Sequence, residues 1–428
     1  MSAPVLPRAG AAARPAAPPV VRPARSGVAG RRAVALLLVA STVGWRRGAY
    51  FSGGLDPVVA AKAGLSVLAL VGALALVRPD ARRRLGTGSC WLLAVLLGTS
   101  VLGALTHGTL LAGLMVAVRV AVLAATVTVL LRALTVAQFS AALAWAAGAV
   151  GLAGTLTGIS TLGTGRLAGG LPPLSPNELA LLGGIVVAHV AWRTVLGEAG
   201  WALGSSAVVA LGVIWATGSR TGLLMLLVGV LVMGLHLRRP RVGLVVTGLL
   251  LAALGAVAAV STDTLTGFAE RDGAGTSTLD SRFIAWRAAR TWASSAWQLL
   301  FGGGLSVKEI PVRGQWWQTQ PLDSSWVSLL VQTGALGLLV AAGWAVWVLR
   351  GAWRAPRTHR ALFLGLLVYL VGRSVLESGL FDATPAFLSF FAVSLLSEGA
   401  SRGRLAAEER EDLPAAGRPR RVRAGLRP

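Results

Sequence analysis

The chain has 428 residues, of which 54% are hydrophobic and 13% are charged. A soluble domain carries roughly a quarter charged residues, so this composition excludes an ordinary soluble protein. Apolar runs of about twenty residues recur along the chain, and each is long enough to cross a hydrocarbon core of about 30 Å. We therefore predict an all-α polytopic membrane protein with about 12 transmembrane helices (11–12).

The net charge of +23 comes almost wholly from arginine, and such a charge first suggests nucleic acid as a partner. Here the arginines cluster in two tails and in short loops between apolar runs, a distribution typical of anchoring to anionic lipid head groups. We predict membrane lipids and no nucleic acid as partners. The single cysteine, Cys90, excludes an internal disulfide. The four histidines lack metal-ligand spacing, so we predict no metal and no other cofactor.

In chain order, residues 1–30 are predicted to be a disordered cytoplasmic tail rich in Pro, Ala and Arg. Residues 31–260 hold membrane helices 1–9, residues 261–323 form a large extracytoplasmic loop, and residues 324–397 hold helices 10–12. Residues 398–428 are predicted to be a disordered basic cytoplasmic tail. The predicted spans are 33–45, 58–77, 90–105, 109–131, 136–158, 178–196, 201–216, 221–237, 242–260, 324–348, 361–380 and 384–397. The first span also resembles a secretory signal, but no small-x-small cleavage site follows it, which favours an uncleaved helix.

Orientation follows from the distribution of arginines in the short loops. With the N-terminus in the cytoplasm, the short cytoplasmic loops carry thirteen arginines and the short external loops carry four. This asymmetry satisfies the positive-inside rule and predicts that both termini are cytoplasmic. The large loop then faces outward.

Two motifs near predicted span ends could carry chemistry. Ser175-Pro176-Asn177-Glu178 follows Arg166 and matches a capping box with Pro at the first helical position, which explains most of it by helix initiation. Asn177 is the only asparagine in the chain, and helix initiation does not require it. Ser219-Arg220 opens a later span, where arginine either snorkels as an anchor or binds phosphate oxygens in a bidentate way.

Within the loop, residues 280–290 predict a helix capped by Asp280 or Ser281. Its period places Arg282, Phe283, Trp286 and Arg290 on one face, and Ile284, Ala288 and Trp292 on another. Such a helix either lies on the head groups or recognises a lipid-linked phosphate.

The glycines 302–304, including Gly303, permit a close approach of backbone to a ligand, but no Lys-Ser/Thr follows to complete a P-loop. A helix-ending turn is the favoured interpretation of this run.

Charged residues next to the last spans complete the candidates. Asp323 precedes a span, where it serves either as helix N-cap or as general base for an acceptor hydroxyl. Arg119 lies inside an apolar run and is a functional candidate by default. Arg373 and Glu377 form an i,i+4 pair inside another run, and a neutralising structural pair is the favoured interpretation.

Taken in order, these motifs resemble the O-antigen ligase and O-antigen polymerase family of bacterial polytopic membrane proteins. The resemblance rests on Gly165-Arg166, Pro176-Asn177-Glu178, Ser219-Arg220-Thr221-Gly222, the large loop with Ser281-Arg282 and Phe301-Gly302-Gly303-Gly304, and Asp323-Ser324-Ser325-Trp326 with Gly334 and Gly337.

The resemblance implies a C-type glycosyltransferase-like fold in the bacterial plasma membrane. It also implies metal-independent transfer of a glycan from an undecaprenyl-pyrophosphate carrier to a glycan or lipid acceptor. Arg220 and Arg282 would then contact the pyrophosphate and act catalytically with Asp323, which stands where many ligases carry a histidine. The predicted substrate-binding residues are Arg166, Asn177, Ser219, Trp286, Arg290 and Gly303.

Two other functions stay open at this point. A transporter or flippase predicts repeated halves and polar groups at the bilayer midplane, and the sequence shows no internal repeat. A non-catalytic scaffold would use its arginines for head groups alone. Whether a glycan transferase of this kind is a ligase or a polymerase, and which sugars it takes, the residues do not decide.

Overall fold

The computed structural model describes residues 26–46, 56–77, 84–198, 200–236, 278–312 and 318–412. Helices are numbered in order within these ranges: α1 Ser26–Thr42, α2 Pro57–Leu76, α3 Gly88–Thr106, α4 Leu110–Ala133, α5 Val136–Thr157, α6 Pro176–Val195, α7 Trp201–Ala216, α8 Arg220–Gly234, α9 Thr278–Arg290, α10 Ala296–Phe301, α11 Ser325–Trp353, α12 Arg357–Ser374, α13 Pro385–Ser397 and α14 Arg402–Asp412. Two 3₁₀ helices, Ile159–Thr164 and Gly399–Ser401, join them. Strands β1 (Glu309–Pro311) and β2 (Thr319–Pro321) pair antiparallel, with Ile310 opposite Gln320.

Six of the described helices are long and apolar enough to cross a membrane, and α7, α8 and α13 are shorter apolar helices. Apolar side chains such as Leu68, Val71 and Leu227 are exposed on the outside of the bundle, where a soluble protein would carry polar groups. These observations confirm the all-α polytopic membrane class. The predicted span 242–260 lies outside the described residues.

Several helix starts carry side-chain caps, and the sequence predicts the one at Ser175. In α6 the Ser175 hydroxyl accepts from the Glu178 amide, and the Glu178 carboxylate accepts from the Ser175 amide, which confirms the capping box. Asp56 caps α2 and Thr384 caps α13, each directly before a proline. These caps fix where the chain enters the bundle.

We call the end of the bundle where Asn177 contacts Glu377 its upper end, and the end where Gly88 and Val136 contact the segment after α13 its lower end. The core holds Trp344, whose Nε1 donates to Ser394 Oγ at 2.7 Å and whose ring packs against Phe381, Phe390 and Phe391. At the upper end a small separate core of Ala285, Ala289, Ile310, Val312, Leu322 and Val331 joins α9 and the β1–β2 hairpin to α11.

The described part of the predicted C-terminal tail, residues 398–412, contacts the lower end of the bundle. The Glu398 carboxylate accepts from the amides of Gly88 and Ser89 at the start of α3, at 3.0 and 2.9 Å. Glu408 accepts from the Val136 amide at the start of α5, and Glu409 accepts from the Thr358 amide in α12. Residues 402–412 form α14, and carboxylates of this segment accept hydrogen bonds from backbone donors that helix starts leave unpaired. Similarly, residues 26–30 of the predicted N-terminal tail belong to α1.

Candidate active site

Glu377 stands at the centre of a charged cluster at the upper end. Its Oε1 accepts a hydrogen bond from Asn177 Nδ2 at 2.7 Å and another from Arg282 Nη2 at 3.0 Å. The Arg282 and Glu377 side chains are only 15% and 12% exposed, so this is a largely buried ion pair. The cluster thereby joins three parts of the chain that are far apart in sequence: the start of α6, α9, and the turn after α12.

The backbone around Glu377 is also fixed. Its carbonyl oxygen accepts from the Ser325 amide at 3.1 Å and from the Ser325 hydroxyl at 2.9 Å, which ties the start of α11 to the same turn. Arg373 Nη2 donates to the Asn177 carbonyl at 2.9 Å and lies 3.9 Å from Glu377 Oε2. The predicted Arg373–Glu377 pair therefore exists, but Glu377 makes its shorter contacts with Asn177 and Arg282.

Arg166 links this cluster to the α7–α8 turn. Its Nε donates to the Thr217 carbonyl at 2.8 Å, and its Nη2 lies 3.5 Å from Asn177 Oδ1. Thr217 precedes Gly218, whose φ of 61° makes the tight turn that Ser219 and Arg220 follow. Ser219 is buried and precedes the first residue of α8, whereas Arg220, that first residue, is exposed.

Asp323 is not the N-cap of α11, because Ser324 occupies that position. Within the described part of the chain, the Asp323 carboxylate accepts no hydrogen bond from a helix-start amide. Burial raises the pKa of the Asp323 carboxyl, and the positive charge of Arg282 opposes this rise. A carboxylate with a raised pKa and no capping partner suits proton acceptance better than helix capping.

Asp323 lines a polar cavity at the upper end. The cavity wall also includes Lys308, Gln332 and Asp382. Lys308 Nζ forms a short ion pair with Asp382 Oδ2, and the Ala383 amide donates to Asp382 Oδ1 at 2.7 Å. Burial would raise the pKa of Asp382, but the charge and hydrogen bond of Lys308 outweigh it and hold that pKa below its usual value. The two carboxyls in this cavity are therefore perturbed in opposite directions.

The pKa of Glu377 is also shifted. Burial raises it, while Arg373 and Arg282 act in the opposite direction. Burial therefore disfavours the ionised form of the Glu377 carboxyl, and the two neighbouring arginines partly offset this effect.

Trp286 and Arg290 lie outside the Glu377 cluster. Trp286 packs against the small upper core and makes an edge-on contact with Phe283, with ring centroids 5.5 Å apart. Arg290 is exposed in the last turn of α9. Phe283 and Arg290 of one predicted face are exposed, and Ile284, Ala288 and Trp292 of the other pack against the small core, in which Ala285 and Ala289 are buried. The predicted caps Asp280 and Ser281 lie inside α9, which includes Thr278.

Gly303 belongs to a backbone joint between α10 and α11. Gly302 ends α10, as the favoured interpretation predicts, and α11 is interrupted at Gly334 with φ 68° and ψ −171°. The amides of Gly303 and Gly304 donate at 2.9 Å to the carbonyls of Val331 and Gln332 just before that interruption. Because these amides are already bonded, the glycine run has a structural role that the phosphate-cradle interpretation did not include.

Sequence reasoning missed Glu377, Lys308 and Asp382 as members of the site. The available signal was the placement of Glu377 at the end of an apolar run, where an ionisable residue is a functional candidate by default. That signal was assigned to local pairing with Arg373, because the partners Asn177 and Arg282 are distant in sequence.

The fold and the site together define a polytopic helical membrane protein with a cluster of arginines and carboxylates at one end of its bundle. Residues 205–342 match the family model described as O-antigen ligase. This match supports the assignment of the chain to the O-antigen ligase family and confirms the sequence resemblance. A comparison with curated proteins gives no match.

The matched region runs from α7 into α11 and includes Ser219, Arg220, Arg282 and Asp323. The match supports ligase- or polymerase-like glycan transfer in general, with lipid-linked glycan and acceptor as the substrate classes. Together with the apolar helices, it indicates a bacterial inner-membrane protein.

Proposed function

We propose that the protein transfers a glycan from an undecaprenyl-pyrophosphate carrier to an acceptor hydroxyl at the outer face of the plasma membrane. The observation that carries this proposal is the Arg282–Glu377–Asn177 cluster beside Asp323, a half-buried carboxylate that does not cap a helix. It places a fixed guanidinium and a carboxylate with a raised pKa within electrostatic range of one another. These are the two groups that the reaction needs.

Arg282 binds the pyrophosphate of the donor. Its guanidinium has five N–H donors, and the contact with Glu377 uses one nitrogen, so donors are left for phosphate oxygens. Arg220 adds a second guanidinium at the start of α8, where the helix dipole also favours an anion. Arg166 positions the α7–α8 turn and Asn177 positions the Glu377 cluster, and neither contacts the phosphate directly.

Asp323 acts as general base. The acceptor hydroxyl oxygen attacks the anomeric carbon of the donor, its proton passes to the Asp323 carboxylate, and a new glycosidic bond forms. The bond between the anomeric carbon and the pyrophosphate oxygen breaks, and the pyrophosphate leaves with the bonding electron pair. Arg220 and Arg282 stabilise the negative charge that develops on this leaving group.

The test is glycan transfer by the purified full-length protein in proteoliposomes, with an undecaprenyl-pyrophosphate-linked oligosaccharide as donor. We expect Arg282→Gln to lower the transfer rate by about 10² to 10³, the cost of losing one charge-stabilising group. Arg282→Lys keeps the charge but loses the bidentate geometry, so it should recover only part of the rate.

Arg287→Gln is the matched control, because Arg287 lies on the same helix but is exposed, and the described contacts of Glu377 are with other residues. Wild-type rates in Arg282→Gln, with the protein correctly inserted, would refute the proposed role of this arginine. An equal loss in Arg287→Gln would show that the whole helix, rather than the cluster, matters.

A further inference from the structure

The polar cavity that Asp323 lines contains an ion pair that the proposed mechanism does not use. Lys308 and Asp382 form this pair in the cavity wall, and we call them the Lys308–Asp382 pair. Their side chains are 18% and 26% exposed, so the pair is not sealed from the cavity. The space in the cavity, including its open side, is about 410 Å³, which is within the size range of small-molecule sites.

The backbone places the Lys308–Asp382 pair close to the proposed base. The Lys308 carbonyl accepts a hydrogen bond from the Leu322 amide at 3.1 Å, and Asp323 is the next residue after Leu322. Asp382 lines the same cavity from the turn between α12 and α13. A ligand that contacts the pair therefore lies beside the Asp323 carboxylate.

Both members of the pair are attached to a fixed backbone. The Val307 carbonyl, directly before Lys308, accepts from Gln332 Nε2 of α11 at 2.7 Å. The Asp382 carboxylate accepts through Oδ1 from the Ala383 amide, also at 2.7 Å. Groups that are held in place before a ligand arrives lose little conformational freedom when it binds.

The pair has hydrogen-bonding capacity left for a ligand. The Lys308 ammonium carries three N–H donors, and its described contact with Asp382 Oδ2 uses one of them. Each Asp382 oxygen accepts one described hydrogen bond, although a carboxylate oxygen offers two acceptor positions. A donor next to an acceptor matches a hydroxyl group, which donates and accepts at the same time. A sugar ring presents several such hydroxyls.

The charges in the cavity disfavour an anion. Among the described residues that line it, Lys308 is the one cation, whereas Asp323 and Asp382 are acidic. Because Asp382 neutralises Lys308, ionised Asp323 gives the wall a net negative charge. An acidic sugar or a phosphate would be repelled, since charges interact more strongly in a partly buried site than in water.

We propose that the Lys308–Asp382 pair is the acceptor subsite, where it binds the hydroxyls of an uncharged sugar and rejects an acidic one. The pair thereby turns one acceptor hydroxyl toward Asp323. This inference rests on the proposed function, since it takes the group beside Asp323 to be the acceptor.

Saturation-transfer difference NMR on the full-length protein in detergent measures this binding without turnover. The probes are the methyl glycosides of glucose, galactose, mannose and rhamnose, and those of glucuronic and galacturonic acid, at equal concentration and neutral pH. We expect saturation transfer to at least one neutral glycoside and none to the uronates. Absence of binding by all the neutral glycosides overturns the proposal, and so does equal binding of a neutral glycoside and its uronate.

Asp382→Asn gives the sharpest variant, because it predicts a gain of binding. It leaves Lys308 without its carboxylate partner, so a uronate should bind to the variant although the wild type rejects it. A damaged fold would not produce this gain. Continued rejection of both uronates by Asp382→Asn would overturn the role of the pair in selection.

Lys308→Met keeps the length of the side chain but removes its charge. It should weaken binding of the neutral glycoside about tenfold, as expected for the loss of one charge-assisted hydrogen bond, and Lys308→Arg should retain the binding. Glu309→Gln is the matched control, since Glu309 is the next residue in the chain and is exposed. Equal weakening in Glu309→Gln, or none in Lys308→Met, overturns the proposal.

The result is separable from that of the glycan-transfer assay. Glycan transfer together with equal binding of neutral and acidic glycosides would keep the proposed function and overturn the subsite. Selective binding of a neutral glycoside without glycan transfer would refute the proposed function and support the sugar site. Displacement of the bound glycoside by inorganic pyrophosphate would assign the cavity to the leaving group of the donor and overturn the proposal.

Discussion

Arg282 of α9 donates a hydrogen bond at 3.0 Å to Glu377, which follows α12 and lies 95 residues further along the chain. Both side chains are largely buried, so water solvates neither charge well. Removal of one partner from a buried pair leaves an uncompensated charge, which is more costly than loss of an exposed pair. The contact therefore controls where the guanidinium of Arg282 points.

The first prediction concerns Glu377 as a positioning residue. Glu377→Gln keeps the acceptor oxygen for Asn177 but removes the charge that holds Arg282, so we expect transfer to fall about tenfold or more. Because Arg282 contacts the donor in the proposed mechanism, the KM for the lipid-linked donor should rise. Steady-state rates against donor concentration provide the measurement. Glu309→Gln, an exposed carboxylate of β1, is the control and should behave as wild type.

The second prediction separates catalysis from stability at Asp323. Asp323→Asn should lower transfer by about 10² or more, the usual contribution of a general base. Its melting temperature should not fall, because Ser324 is the N-cap and burial makes the Asp323 charge unfavourable. Differential scanning fluorimetry in detergent beside a transfer assay provides the comparison. A lower melting temperature with normal transfer would contradict this role.

The third prediction is the pH dependence that follows from the raised pKa of Asp323. The base must be ionised, so transfer should fall as pH decreases through this raised value, above the usual range of an aspartate. The effect on stability has the opposite sign. A carboxyl whose pKa is raised in the folded state binds its proton more tightly when folded, so its contribution is favourable at low pH and is lost as pH rises through that window.

Arg282 holds the pKa of Asp323 down, against the effect of burial. Replacement of Arg282 by Gln should therefore move the acidic limb of the residual activity to higher pH, while Arg282→Lys should leave it nearly in place. The pH profile of kcat/KM for the three proteins provides the measurement. An unchanged limb in Arg282→Gln would indicate that another group limits the rate at low pH.

The fourth prediction tests the glycine joint between α10 and α11. Gly302 has φ 74°, and a Cβ at this position would lie 2.5 Å from the Gln332 carbonyl carbon. Gly302→Ala should lower the free energy of unfolding by about 1–3 kcal/mol, since both backbone strain and overpacking oppose it. Gly343→Ala in α11 meets no atom within 4 Å and is the control. In thermal melts, the melting temperature of Gly302→Ala should lie below that of the wild type, and that of Gly343→Ala should lie at or slightly above it.

The fifth prediction concerns the C-terminal segment. Deletion of residues 398–428 removes the Glu398, Glu408 and Glu409 caps and should lower the melting temperature clearly, because each buried donor left unpaired costs about 1–3 kcal/mol. Deletion of residues 413–428 leaves these caps in place and should have little effect. Equal melting temperatures for the two truncations would show that the caps contribute nothing.

Much of the fold depends on residues that are close together in the sequence. Apolar runs of membrane length and the capping box at Ser175–Glu178 depend on neighbouring residues alone, and six of the described helices, α6 among them, are long and apolar enough to cross a membrane. The turn that ends α10 at Gly302 is equally local. The resemblance to the O-antigen ligase family, which the family model matched by residues 205–342 supports, also rests on short stretches of sequence.

The partners of the charged residues are not local, and only the tertiary structure decides them. Glu377 has Arg373 one helical turn away, which made local pairing the natural interpretation, but packing brings Asn177 and Arg282 closer. The tail from Glu398 onward has the composition of a disordered segment, but its carboxylates accept hydrogen bonds from backbone amides at helix starts elsewhere in the bundle. The local sequence thus indicates which segments form apolar helices. Which charges neutralise one another depends on distances across the fold, because buried ion pairs form wherever packing removes water.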